Sequence, residues 1–271
     1  EGRVVQYPLT IVDGWTFRHL LAVLEVSPVL IHTLRGLPPR RIMARLGHPG
    51  RNPEGWFFPD TYRFPHGTTD LQFLARAYRT MQRELRAQWR ARASGLPLKT
   101  PYQALILASI VEKETAVPAE RAAIAGVFER RLERGMRLQA DPTVIYGLSP
   151  RFNGDLTSRD LTRYTPYNTY RIGGLPPTPI AIPGLASIHA VLHPAPGKTL
   201  YFVARGDGTH VFSETLAEHD RAVERYLLHG AGATTPRRGT KMGTAKGHRA
   251  GTPIDAPQAG GHRRERQWMG D

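Results

Sequence analysis

The 271-residue chain has no cysteine. That excludes a disulfide framework, a thiol nucleophile and a cysteine-ligated zinc site, and it leaves the redox compartment open. Long apolar runs are missing as well. The best stretch, residues 20–26, is interrupted by Glu25 and falls far short of the roughly 18 apolar residues of a membrane-spanning helix. Phosphate-cradling glycine motifs are absent too: Ile172, Gly173 and Gly174 come without a P-loop lysine or GxGxxG spacing, so nucleotide binding is unsupported. His189 and His193 have the i, i+4 spacing of a helical zinc pair, but no HExxH glutamate lies between them and no third ligand is evident. Packing or surface roles are expected for both, and no metal.

Acidic residues are comparatively few, 23 against 37 Lys and Arg, for a formal net charge of +14. Residues 231–271 hold 8 of the basic and 3 of the acidic residues, which leaves 29 and 20 on residues 1–230. Both parts are basic, a balance that favours polyanions such as acidic lipid headgroups or an acidic wall polymer. No aromatic-interleaved basic motif accompanies the charge, so a nucleic-acid partner is not expected. The last 41 residues are rich in Gly, Pro, Thr and Arg without apolar periodicity, and they read as a disordered basic tail. The chain opens on Glu1 rather than methionine, from which an upstream anchor or signal is expected.

What the chain does contain is enough apolar sequence, 40%, for a core. Residues 3–12 read as a strand and residues 16–26 as a helix, a small β-then-α lobe that ends near Pro38 and Pro39. Residues 54–64, EGWFFPDTYRF, form an aromatic strand-and-turn segment. Thr69 and Gln72 offer a capping box for a helix whose Leu71, Leu74, Tyr78, Met81 and Leu85 share a face. Pro118 opens a helix carrying Ile124, Val127, Phe128 and Leu132 inward, with Gly135 placed to end it. Strands at 200–204 and 210–213 flank a Gly-Asp-Gly turn, and Thr215 with Glu218 caps a last helix to about Leu228. The class predicted is α+β.

The richest stretch is 100–147. Thr100, Pro101 and Gln103 make a helix start with a capping box. Leu105, Ala108, Ser109 and Glu112 then fall on one inward stripe, so Glu112 stands where leucine is expected. A glutamate in partly apolar surroundings resists ionisation and becomes a candidate general acid; the plainer reading is a glutamate paired with an arginine. Glu114, two residues on, is turned roughly 200° away and cannot face Glu112 across a scissile bond. Two-carboxylate glycosidases need a second acid about 5 to 9 Å off, and Asp141 is the nearest candidate in sequence. Chemistry with a single carboxylate fits better. In lytic cleavage of peptidoglycan one group protonates the glycosidic oxygen and then takes the proton of the sugar's own 6-hydroxyl, which closes onto C1 without water.

Five blocks carry a resemblance: ASIVEKET at 108–115, GMRLQADPTVIYG at 135–147, YNTYRIGGLPPTPIAIPG at 167–184, YFVARGDGTHVFSETLAEHD at 201–220, and EGWFFPDTYRF. In order and spacing they resemble the YceG-like endolytic murein transglycosylases, the MltG family. The resemblance spans about residues 54–225. It implies a single-pass enzyme of the bacterial inner membrane, its catalytic domain facing the periplasm or cell wall, that cuts nascent glycan strands internally at the MurNAc-GlcNAc β-1,4 bond and leaves 1,6-anhydroMurNAc ends. It implies peptidoglycan strands as partner, cell-wall synthases beside it, and a LysM-like lobe at 1–46, incomplete here, ahead of a catalytic domain at 47–230. It carries the catalytic glutamate onto Glu112.

Within these blocks Gln139, Asp141, Asn168 and Tyr170 either line a saccharide cleft or do structural work, Asp141 with Pro142 starting a helix and Asn168 bracing a turn. His210 and His219 fall in the blocks with a structural or cleft role. The family has also carried an aminodeoxychorismate lyase label, which would require pyridoxal phosphate. No lysine with a phosphate cup accompanies it, so no cofactor is expected. A non-catalytic wall-binding module, with Glu112 merely buried, is the rival reading.

Overall fold

The computed structural model describes residues 5–228. The basic tail expected from residue 231 lies outside the described residues. Strand β1 (Gln6–Thr10) pairs antiparallel with β2 (Thr61–Pro65), Gln6 opposite Pro65 and Thr10 opposite Thr61. Helices α1 (Phe17–Glu25) and α2 (Pro39–Arg45) lie between them in sequence. The side chain of Thr16 accepts from His19 N and caps α1, and proline opens α2 where its missing N–H costs nothing.

The strand that closes this unit thus comes from beyond the boundary expected at 46/47. Phe17 stacks on Phe57 at 5.1 Å between ring centres, and Leu20, Leu24, Ile42 and Met43 belong to the same buried cluster as Leu74, Leu105 and Val191. The N-terminal segment therefore shares its core with the rest rather than forming a lobe with a core of its own. A unit of under 50 residues buries too little surface to stand alone.

Helix α3 (Asp70–Arg90) starts with both bonds of its capping box, Gln72 N to Thr69 Oγ1 and Thr69 N to Gln72 Oε1. Leu74, Tyr78, Met81 and Leu85 are buried as the periodicity predicts, and Leu71 is half-buried at the start. In α4 (Pro101–Glu114) the box is half formed: Thr100 accepts from Gln103 N, but Gln103 Oε1 takes the N–H of Lys99. Residues 104–111 of α4 are all buried. The helix is enclosed all round because α3, α5 (Arg121–Glu133), α6 (Asp141–Leu148) and α8 (Leu185–Leu192) pack around it.

A short α7 (Ser158–Thr162) follows α6, with Thr157 and Asp160 forming a further capping box. β3 (Tyr201–Ala204) and β4 (His210–Ser213) pair antiparallel, Tyr201 opposite Ser213. Thr215 and Glu218 cap α9 (Leu216–Val223), and a π-helical turn over Glu224–Leu228 replaces the expected helical continuation. The architecture is α+β, with a helical centre and two small antiparallel pairs. No described helix is long and apolar enough to cross a membrane.

Candidate active site

The last turn of α4 sends two carboxyl groups in opposite directions. On one side the inward stripe ends as periodicity predicts. Ser109 Oγ donates to Ile106 O at 2.7 Å and accepts from Ile180 N at 3.0 Å, and Glu112 Oε2 accepts from Gly184 N at 2.8 Å. The segment so gripped, 180–184, is fixed from its other side by Ile182 N donating to Trp15 O and by Gly14 N donating to Ile182 O. A Cβ at position 184 would lie 3.0 Å from Asp13 Oδ2 and 3.4 Å from Glu112 Oε2, so glycine lets the chain come this close. The second oxygen of Glu112 lies 3.7 Å from the Arg121 guanidinium, with 7% of the Glu112 side chain exposed. The plainer reading of this residue, a glutamate paired with an arginine, describes its surroundings.

On the other side stands Glu114. The residue keeps partial exposure, yet its Oε2 is sealed from solvent and has no hydrogen-bond partner among the described residues. Burial and then the Asp141 charge push the carboxyl up, Arg131 pulls it back, and it comes to about 8. At neutral pH Glu114 therefore holds its proton. Glu114 is turned away from Glu112, as the helical spacing predicts, but α4 has no solvent face along its middle. The signal was present in the unbroken run ALILASIV, which is apolar or small all round and marks an enclosed helix.

Three of the four polar residues expected in a cleft gather near Glu114. Asp141 is the first residue of α6, and its Oδ1 accepts from Tyr170 OH at 2.6 Å. Burial, and then the Asp141 charge, push the Tyr170 phenol well above its usual range. Gln139 adopts a left-handed backbone, φ 53°, held by its N–H to Thr169 O, and its Oε1 accepts from Arg131. The fourth, Asn168, is fully buried. Its Nδ2 donates to the carbonyls of Asp160, Leu161 and Arg163 and its Oδ1 accepts from Tyr170 N, so no polar atom is left for a sugar. It braces the turn that presents Tyr170.

Arg131 was not among the expected site residues. It is 7% exposed and donates to Leu200 O at 2.7 Å, to Leu138 O at 2.8 Å and to Gln139 Oε1 at 3.3 Å, with its guanidinium 5.2 Å from the Tyr201 ring centre. Its sequence neighbourhood, an Arg-rich helix end, reads as surface. His219 stacks on Tyr201, and burial followed by the Arg131 charge lowers its pKa. His210 pairs with Glu120 at 2.7 Å and ties β4 to the turn before α5. His189 and His193 stack on each other at 4.4 Å, and no metal-binding group of three or more residues occurs among the described residues.

Two other carboxyls are raised. Glu54 is pushed to about 7 by burial, and its oxygens accept from Phe17 N and Tyr146 OH. Glu129, at about 8 through burial and Glu133, is 3% exposed. Of the three raised carboxyls, Glu114 alone combines an unpartnered oxygen with residual access to solvent.

A model of the YceG-like family matches residues 1–225. The chain is 37% identical over 174 residues to an endolytic murein transglycosylase of Bacillus subtilis (strain 168), covering 64% of this chain and 48% of that protein. It is 31% identical over 180 residues to an endolytic murein transglycosylase of Streptococcus pneumoniae serotype 2, covering 64% of this chain and 32% of the other. The chain thus spans half or less of the length of these curated relatives. A crystal structure of a YceG-like protein from Listeria monocytogenes matches with a TM-score of 0.63 and 29% identity, over 79% of this chain and 75% of that one.

Proposed function

The chain belongs to the YceG-like family, and from that premise we propose that it is an endolytic peptidoglycan lytic transglycosylase with Glu114 as its acid and base. One observation carries the assignment: a carboxyl held up at about 8, with a sealed oxygen that has no hydrogen-bond partner among the described residues. A general acid must hold a transferable proton near the working pH. Glu112, which the inward stripe and the resemblance single out, is read instead as the clamp that holds segment 180–184 in place.

In this reading Glu114 gives its proton to the oxygen of a MurNAc-GlcNAc β-1,4 bond as the C1–O bond breaks. The resulting carboxylate then takes the proton of the MurNAc 6-hydroxyl, whose oxygen closes onto C1 as a 1,6-anhydro ring. Proton and bond counts balance without water. In the same reading Gln139 and Tyr170 hydrogen-bond the sugar. Location at the outer face of the plasma membrane and work beside cell-wall synthases belong to the same reading and rest on the family alone. The test is mass spectrometry of products from uncrosslinked glycan strands. Internal cuts with 1,6-anhydro ends are expected, and hydrolytic reducing ends would overturn the reaction.

A further inference from the structure

Glu114 has an acidic neighbour, Asp141, and a permanently charged one, Arg131. Asp141 has a hydrogen-bond donor, the Tyr170 hydroxyl at 2.6 Å. Glu114 Oε2 has none among the described residues. Where two carboxyls are neighbours, the one that no donor supports is the harder to ionise. The guanidinium cannot swing away to change this, because the carbonyls of Leu138 and Leu200 and the side chain of Gln139 hold it on three sides, with the Tyr201 ring stacked by His219 beyond it.

We infer that the Tyr170-bound Asp141 is a positioning residue that keeps the proton on Glu114 before cleavage and returns it afterwards, and that Arg131 is the positioning residue that keeps the ionised form of Glu114 within reach. This rests on the assignment of Glu114 as acid. Once Glu114 has given up its proton, the site holds two anions against one cation, which makes the carboxylate a strong base toward the sugar 6-hydroxyl. Arg131 tempers that imbalance, so the ionised form is reachable at all. The groups that face Glu114 are then Asp141 from α6, Arg131 from α5 and Tyr170 from the loop after α7.

The experiment is the pH dependence of kcat/KM on uncrosslinked glycan strands, together with carbon-13 NMR titration of carboxyl-labelled glutamate in the free protein. Asp141→Asn keeps an oxygen for Tyr170 and removes only the charge. Its alkaline limb and the Glu114 resonance are both expected to shift down by about one pH unit. Arg131→Lys keeps the charge but loses the held geometry, so kcat is expected to fall about tenfold or more while the limb moves little. A limb and a resonance that stay in place in Asp141→Asn would overturn the inference even if its activity falls, since a purely structural loss moves neither. Full activity in Glu114→Gln would instead overturn the assignment of the acid on which it rests.

Discussion

Glu112 and Glu114 leave the same turn of α4 in opposite directions and meet opposite surroundings. Around Glu112 the chain has supplied a backbone N–H and a guanidinium, and the carboxylate is used up in holding segment 180–184. Around Glu114 it has supplied burial, a second carboxyl and an arginine already committed to carbonyls. A satisfied carboxylate stabilises the fold, whereas an unsatisfied buried one costs stability and is kept for its proton. The difference between the two sides is one of partners as well as of burial.

The largest expected effect breaks the comparison directly. Glu114→Gln keeps shape but has no proton to give, so turnover is expected to fall by about 10²- to 10⁴-fold, or further because the same group serves as base, with the fold intact. Glu112→Gln retains an oxygen for Gly184 N and loses only the pairing with Arg121, so it is expected to keep most activity while melting lower. Rates on glycan strands and thermal melts of the two variants decide the matter. The reverse pattern, a folded but inactive Glu112→Gln beside an active Glu114→Gln, would return the acid to Glu112.

The second effect is on stability against pH. Burial holds the Glu114 carboxyl at about 8 in the folded protein, against an ordinary glutamate value of 4.5. The folded state therefore binds more protons than the unfolded state between those values, and stability falls as pH rises through that window. Stability is highest below about pH 4.5 for this group and is lost progressively up to about 8, by on the order of several kcal/mol. Glu54 and Glu129 contribute slopes of the same sign. Glu114→Gln is accordingly expected to flatten part of the decline seen in thermal melts from pH 5 to 8. An unchanged slope would mean that the carboxyl is not raised.

Much of this was legible in the residues. Capping signals at Thr69, Thr100 and Thr215 start helices where they predict, because the N-cap bond is a local matter between residues three apart. The inward stripe through Ser109 and Glu112 is equally local. The partners were not legible. Gly184 reaches Glu112 across 72 positions and Leu200 reaches Arg131 across 69, and no periodicity encodes which distant backbone group a side chain will meet. The pairing of β1 with β2 across 51 positions is invisible for the same reason, which is how residues 1–46 came to read as a separate lobe.

The smallest effect tests whether the Glu112 side is a clamp at all. Ser109 is fully buried, and its hydroxyl accepts from Ile180 N three residues before Glu112 in the same grip on segment 180–184. Ser109→Ala leaves that buried N–H without an acceptor, a loss of about 1–3 kcal/mol, while the small volume change leaves the packing of α4 on α8 unaltered. Because the acid and Asp141 lie on the other side of the helix, kcat is expected to stay within about twofold of the parent at temperatures where the variant is folded. Combined with Glu112→Gln, the two losses are expected to be non-additive, since both release the same segment. Melting temperatures of the single and double variants measure this. Strict additivity would show that Ser109 and Glu112 hold segment 180–184 independently, and a fall in kcat with Ser109→Ala would show that the segment itself reaches the reacting sugar.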